Sequence, residues 1–164
     1  MDAFPPPAIT SVLFACTFNA VRSPMAEALL KRHLGRRLYV DSVGVREGEP
    51  DPFMVTVMAE LGVDLARHRA KIFDELDDNS FDLVISLSPE AHHRAVEMVR
   101  TMACDVEYWQ TFDPALVEGS RDTKLDGYRQ VRDGLAERIR RRFPDHGAIP
   151  ARPEGSKGWS DFFR

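Results

Sequence analysis

An α/β fold is predicted: a four-stranded parallel sheet with helices on both faces, a three-layer arrangement. Three observations predict it. Short apolar runs alternate with helical patterns in the order β-α-β-α-β-α-β-α. A capping residue followed by proline recurs at Ser23-Pro24, Asp51-Pro52 and Ser88-Pro89, each time ahead of a helical face. No repeat, linker or long apolar stretch divides the 164 residues, a length that suits one domain.

The elements follow in chain order. Residues 1–8 carry three consecutive prolines and read as an extended arm. ITSVLFA (9–15) is rich in β-branched and apolar residues, as a buried strand is. Ser23-Pro24 starts a helix whose face carries Ala26, Leu30 and Leu34, flanked by Met25 and Leu29 and closed by Gly35. LYVDSVG (38–44) is the second strand. Asp51-Pro52 opens a helix with Met54, Val57, Met58 and Leu61 on one face, ending at Gly62. A short helix is expected around Ile72–Leu76. FDLVISL (81–87) is the third strand, and Ser88-Pro89 starts a helix presenting Ala91, Ala95, Val99 and Met102. DVEYWQT (105–111) is the fourth strand. Leu125, Tyr128, Val131, Leu135 and Ile139 line the last helix, which Pro144 ends. The folded unit is thus expected over 9–145. An irregular tail over 146–164 carries Trp159, Phe162 and Phe163 as docking candidates.

Composition narrows the function classes. Hydrophobic residues at 43% and charged residues at 29% are enough for a real core under a solvated surface. A net charge of −4 offers no attraction to nucleic acid. The arginines at 140–142 fall in a last helical turn, where cations complement the dipole, and read as a solvated face. No run reaches membrane-spanning length, and the start lacks a basic region before its apolar stretch. Two cysteines far apart cannot form a disulfide framework. A reducing, cytoplasmic location is expected.

One segment combines several kinds of chemistry. Between Cys16 and Ser23, CTFNAVRS, a short loop joins a strand to a helix start. Such a loop turns backbone N–H groups and the positive end of the helix dipole toward an anion. The same field favours the thiolate, the reactive form of cysteine. Arg22 offers a planar fork for two oxygens of a tetrahedral oxyanion. The nucleotide-binding pattern G-x-x-x-x-G-K-[ST] is absent. Cys16 alone would read as a small buried hydrophobe at a strand end, and its spacing to Arg22 alone occurs by chance. Strand before, capped helix after and Asn19 within the loop favour an oxyanion site.

VLFACTFNAVRSPMAEALL (12–30) resembles the opening of the low-molecular-weight protein tyrosine phosphatases and the related thiol-coupled arsenate reductases. That family has a strand, C-x-x-N-x-x-R-S and a helix beginning P/Q-M-A-E. The similarity continues through VDSVGV (40–45), DLARHRAK (64–71), FDLVISLSPE (81–90) and FDP (112–114), so it covers about residues 9–143. The resemblance implies a four-stranded parallel sheet, no metal and no organic cofactor. It implies that Cys16 is the nucleophile, that Arg22 clamps the phosphate, and that Thr17, Phe18, Asn19, Ala20 and Val21 surround it. It further implies that Ser23 stabilises the leaving thiolate, that Asn19 braces the loop with Ser42 and His68, and that Asp113 is the general acid. Read alone, His68 is a solvated histidine between two arginines, and Asp113-Pro114 is a turn. The place of Asp113 after the fourth strand puts it on the same rim as Cys16. The competing acids Asp105 and Asp126 fall on a strand start and a helix face.

Three departures from the family are visible. Phe18 stands where the phosphatases usually have glycine, and Val21 where many carry a second cysteine. The aromatic residues that flank a phosphotyrosine ring are missing from VREGE (45–49) and from ALVEG (115–119), and Glu47 and Glu49 disfavour very acidic substrates. The expected function is a cysteine-dependent phosphatase acting on a phosphorylated protein or small molecule. The closest rival is an arsenate reductase resolved by a small thiol or a redoxin, with Cys104 read as a core cysteine rather than a relay. A non-catalytic module that docks phosphorylated partners is a further reading, although mere binding needs neither nucleophile nor acid. Metal binding through His92 and His93 is disfavoured, since adjacent helical residues diverge by about 100°.

Overall fold

The structure, a computed structural model, describes residues 8–76, 80–147 and 149. The first strand, β1, spans Ser11–Cys16, and every residue from Val12 to Cys16 is buried, as in a strand covered on both faces. It lies at the centre of a parallel sheet with β2 (Tyr39–Gly44), β3 (Leu83–Ser86) and β4 (Asp105–Tyr108), in the order β2-β1-β3-β4. The register sets Cys16 beside Gly44, and Ala15 beside both Val43 and Ser86. The order reverses direction at β1, so the crevice beyond the carboxyl ends of β1 and β3 is where such sheets hold ligands.

β3 and β4 are shorter than their apolar runs. Ser88 leaves β3 to cap a helix, accepting the N–H of Ala91. With its neighbour gone, β4 keeps only the bonds from Trp109 N to Ser86 O and from Thr111 N to Leu87 O beyond Tyr108.

Among the described residues four α-helices cover the sheet: α1 (Arg22–Leu34), α2 (Pro52–Ala59), α3 (Pro89–Val99) and α4 (Arg121–Arg142). Asp51 caps α2 as expected, its Oδ1 accepting from Phe53 N and Met54 N. α2 ends at Ala59 and α3 at Val99, so Leu61 and Met102 lie past the helices they were assigned to. The short helix near Ile72 is a single 3₁₀ turn, Phe73–Glu75.

Alternate residues of β1 feed opposite layers. Val12 and Phe14 pack with Met25, Leu30, Met58, Tyr128 and Ile139 from α1, α2 and α4. Leu13 and Ala15 pack with Ala91 and Ala95 of α3. Phe14 is fully buried; truncating such a ring costs about 3–5 kcal/mol.

Three surface expectations change. Arg140 and Arg141 are exposed, but Arg142 is buried and pairs with buried Glu107 at 2.7 Å. It continues the buried face of Leu135 and Ile139 one helical turn on. Glu107 also accepts the indole N–H of Trp109 at 3.1 Å. Cys104 is half-buried against the α3 layer rather than enclosed in the core. In the tail, Ile149 is buried and its carbonyl accepts the N–H of Ile9. The arm before residue 8, together with Trp159, Phe162 and Phe163, lies outside the described residues. Among the described residues no helix is long and apolar enough to cross a membrane.

Candidate active site

The segment from Thr17 to Val21 connects β1 directly to α1. Its carbonyls are held from outside. Cys16 O accepts Val45 N, Thr17 O accepts Arg46 N, and Phe18 O accepts Gly48 N, at 2.9–3.1 Å. Asn19 O accepts His68 Nε2 at 2.8 Å. A carbonyl can only accept, so Nε2 of His68 carries the hydrogen. Planar trans peptides then send the N–H groups of residues 17–20 to the opposite side. A loop built this way is a nest of donors suited to an anion.

Asn19 holds the loop in shape. Its φ of 51° is left-handed, a region asparagine tolerates better than most residues. Its buried amide donates to Ser23 Oγ at 2.8 Å and to Ser42 Oγ at 2.9 Å, and accepts Lys71 N at 3.0 Å. Ser42 in turn donates to Glu27 Oε1 at 2.6 Å, and Lys71 Nζ pairs with Asp41 at 2.6 Å. The network therefore ties the loop to α1, to β2 and to the segment after α2. Ser42 and His68 both contact Asn19, Ser42 at its side chain and His68 at its carbonyl. Glu27 and Lys71 were not singled out; the only sequence signal was their position inside the matching stretches PMAE and RHRAK.

Ser23 corrects the helix-start reading. α1 begins at Arg22, and its N-cap, Val21, makes no side-chain cap. The Ser23 hydroxyl instead accepts from Asn19 and lies 2.9 Å from Cys16 Sγ. The same hydroxyl donates to Val43 O at 3.4 Å, and in its contact with Cys16 either group can be the donor. The loop's curvature carries Ser23 inward beneath Cys16, and the hydroxyl finds the sulfur rather than the helix end.

Arg22 is buried, with 8% of its surface exposed. Nη1 donates to Thr111 O at 3.0 Å and Nη2 reaches Thr17 Oγ1 at 3.5 Å. Thr17 Oγ1 donates onward to Ser88 Oγ at 3.0 Å. The guanidinium is thus fixed by the carboxyl-side ends of β1 and β4, and Thr111 is a support that the sequence did not announce. Asp113 Oδ2 stands 3.9 Å from Arg22 Nη2, while its Oδ1 accepts Ala115 N at 3.0 Å.

Cys16, Arg22 and Asp113 line one cavity of about 510 Å³, together with Phe18, Ala20, Val21 and Leu116. Glu47, Glu49 and Asp51 also line it. The Tyr128 hydroxyl donates to Asp51 Oδ2 at 2.7 Å. Burial, then the Asp51 carboxylate, then Asp113 push this phenol well above the usual tyrosine range, so it stays a donor. The competing acids fall elsewhere: Asp105 opens β4 at the other end of the sheet and Asp126 pairs with Arg129 on α4. His92 stacks on Tyr108 while His93 pairs with Glu97, so the two rings face different neighbours.

Cys104 does not join this site. It precedes Asp105, which is level with Leu83 and, through it, with Val12. Val12 lies four residues before Cys16 on β1, about 13 Å along the strand direction. Burial, then the carboxylates of Asp105 and Asp82, push the Cys104 thiol up to about 11.

Known proteins share this architecture. The family model described as low molecular weight phosphotyrosine protein phosphatase matches residues 11–144. The chain is 34% identical over 131 residues to an arsenate reductase of Bacillus licheniformis, covering 80% of this chain and 93% of that one. It is similar to the crystal structure of a YwlE mutant from Bacillus subtilis, at 29% identity and a TM-score of 0.66, over 80% of this chain and 94% of the other. It is also similar to an arsenate reductase in a phosphate-binding state, at 27% identity and a TM-score of 0.63, over 80% and 94% of the two chains. With its four-stranded parallel sheet and a family match spanning most of its length, the chain belongs to the low molecular weight phosphotyrosine protein phosphatase family.

Proposed function

We propose that the chain is a cysteine-dependent phosphatase that hydrolyses phosphate monoesters through a phosphocysteine. The observation that carries this reading is the convergence of Cys16, Arg22 and Asp113 on one cavity. The phosphoryl oxygens sit against the loop N–H groups and the Arg22 fork. The Cys16 thiolate attacks phosphorus; the Sγ–P bond forms as the P–O bond to the leaving group breaks. Asp113 gives its proton to the departing oxygen. A water then attacks phosphorus, its proton passing to Asp113, and the Sγ–P bond breaks. Ser23 Oγ lies 2.9 Å from Sγ, and its O–H donates to the thiolate as that leaves. Asn19, Ser42 and His68 are positioning residues that keep the loop open.

Arsenate reduction by an external thiol is the second reading, and the names of the curated relatives favour it. The similar arsenate reductase in a phosphate-binding state supports one cradle serving both anions. The position of Cys104 and its high-lying thiol count against an internal relay, so a reductase of this kind would draw on a small thiol or a redoxin.

The test is hydrolysis of para-nitrophenyl phosphate by wild type and Cys16→Ser, beside arsenate reduction with glutathione plus glutaredoxin and, separately, thioredoxin. Cys16-dependent phosphate release without arsenite is the expected result. Arsenite with negligible hydrolysis would replace the phosphatase by the reductase.

A further inference from the structure

We infer that a second cavity, between α4 and the segment that follows β4, is a ligand site for a small, flat aromatic anion. This cavity holds about 510 Å³, as much as the catalytic one, and the two share no lining residue. Such a volume suits a small-molecule ligand.

One stripe of α4 lines it. Gly127, Gln130, Gly134, Arg138 and Arg141 recur every three or four residues, on one side of the helix. A glycine inside a helix weakens it relative to alanine, so each of the two needs a reason. At Gly127 the reason is packing, since a Cβ there would stand 2.8 Å from Val117 Cγ2. At Gly134 no neighbour among the described residues lies within 4 Å of where a Cβ would be. Gly134 instead leaves the helix backbone open to the cavity, as a flat ring laid on it requires. Phe112, 58% exposed, adds an aromatic surface. The charge of the cavity is positive. α4 pairs Arg129 and Arg132 with Glu60, and Arg142 with Glu107. Arg138 and Arg141 have no carboxylate within ion-pair distance among the described residues. The Arg138 guanidinium stands 4.9 Å from the centroid of the buried Trp109 ring. Burial pulls it below the usual arginine range; Glu107 opposes that pull and Arg141 adds to it. An anion shared by the two guanidinium forks relieves their repulsion, and a carboxylate or phosphate matches the fork geometry.

The test is calorimetric titration of the full chain with 2-naphthoate while saturating inorganic phosphate fills the Cys16–Arg22 cradle. Binding is read directly, so the result stands whether or not the chain proves to be a phosphatase. Wild type is expected to take up one equivalent. The neutral amide, 2-naphthamide, should bind about tenfold more weakly, and cyclohexanecarboxylate, which lacks a flat ring, about two- to tenfold more weakly. A parallel titration with 2-naphthylphosphonate distinguishes a phosphate ligand from a carboxylate one by which probe binds tighter. Arg138→Gln lowers the affinity about tenfold. Gly134→Leu fills the space over the helix and abolishes binding. Gly134→Ala raises the thermal midpoint, because alanine favours the helix and meets nothing there, yet it weakens binding; that pairing separates loss of the site from loss of the fold. Naphthoate that phosphate displaces, or whose affinity is unchanged in both Arg138→Gln and Gly134→Leu, would overturn the site. A full chain that binds no probe would overturn it too, and binding recovered on deletion of residues 150–164 would then assign the cavity to the chain's own tail.

Discussion

Cys16 and Cys104 are the same chemical group at opposite ends of one sheet, and their surroundings differ in nearly every respect. Cys16 ends β1, where the chain turns into a ring of outward-held carbonyls and the N-terminus of α1. The Ser23 hydroxyl is 2.9 Å from its sulfur, and Cys16 shares a cavity with the Arg22 guanidinium. Cys104 precedes β4, where its neighbours are the carboxylates of Asp105 and Asp82. A parallel sheet sorts its termini by direction, so helix N-termini gather at one end and not the other. Strand polarity, more than residue type, separates the surroundings of the two thiols.

The largest effect that could break this comparison is on turnover. Cys16→Ser is expected to lower phosphate release at least about a thousandfold, while equilibrium binding of phosphate survives. Cys104→Ser should stay within about twofold of wild type in the same assay. Turnover retained in Cys16→Ser would end the covalent mechanism.

Next comes Asp113. Asp113→Asn should slow hydrolysis of alkyl phosphates by about 10²–10⁴ and para-nitrophenyl phosphate much less, because nitrophenolate leaves without a proton. Equal losses on both esters would remove Asp113 from the acid role.

A smaller loss, about ten- to a hundredfold, is expected for Asn19→Ala, a typical cost of removing support around a site. The phosphate inhibition constant should rise with it, since the loop N–H groups lose their bracing. A drop in kcat with phosphate binding unchanged would show that Asn19 acts on chemistry rather than on loop shape.

The smallest effect concerns pH. Unfolded, the Cys104 thiol ionises near 9.0; folded, it holds its proton to about 11. Between those values the unfolded chain binds fewer protons, so the Cys104 contribution to stability falls as pH rises. In Cys104→Ser the decline in denaturation midpoint from pH 9 to 11 should be shallower. Alkylation of Cys104 by iodoacetamide should climb steeply only toward pH 11. A plateau already reached at pH 9 would contradict the carboxylate-lined setting.

Much of the fold was legible because local chemistry and tertiary demand agree. β1 alternates between two apolar layers and is buried throughout, so its apolar run signals a strand unaided. Asp51 and Ser88 cap α2 and α3 where the cap-plus-proline pattern put them. The pattern misleads at Ser23, since a hydroxyl that satisfies a helix end in isolation is pulled to Cys16 and Asn19 once the loop closes. Arg142 misleads in the same way: the last-turn rule is local, whereas its burial follows from Glu107 on a strand 35 positions away in sequence.

The order of residues from Cys16 to Ser23 determined, by itself, that a thiol, a guanidinium and a helix N-terminus share a small volume. Short-range geometry allows little else when a strand, a turn and a helix follow one another so closely. The place of Asp113 after the fourth strand already put it on the rim of that volume; only the tertiary structure decided its 3.9 Å approach to Arg22. It also decided that Glu27 and Lys71 anchor the loop's bracing. Those outcomes depend on strand order and on long-range hydrogen bonds, which bring together residues whose separation along the chain carries no local signal.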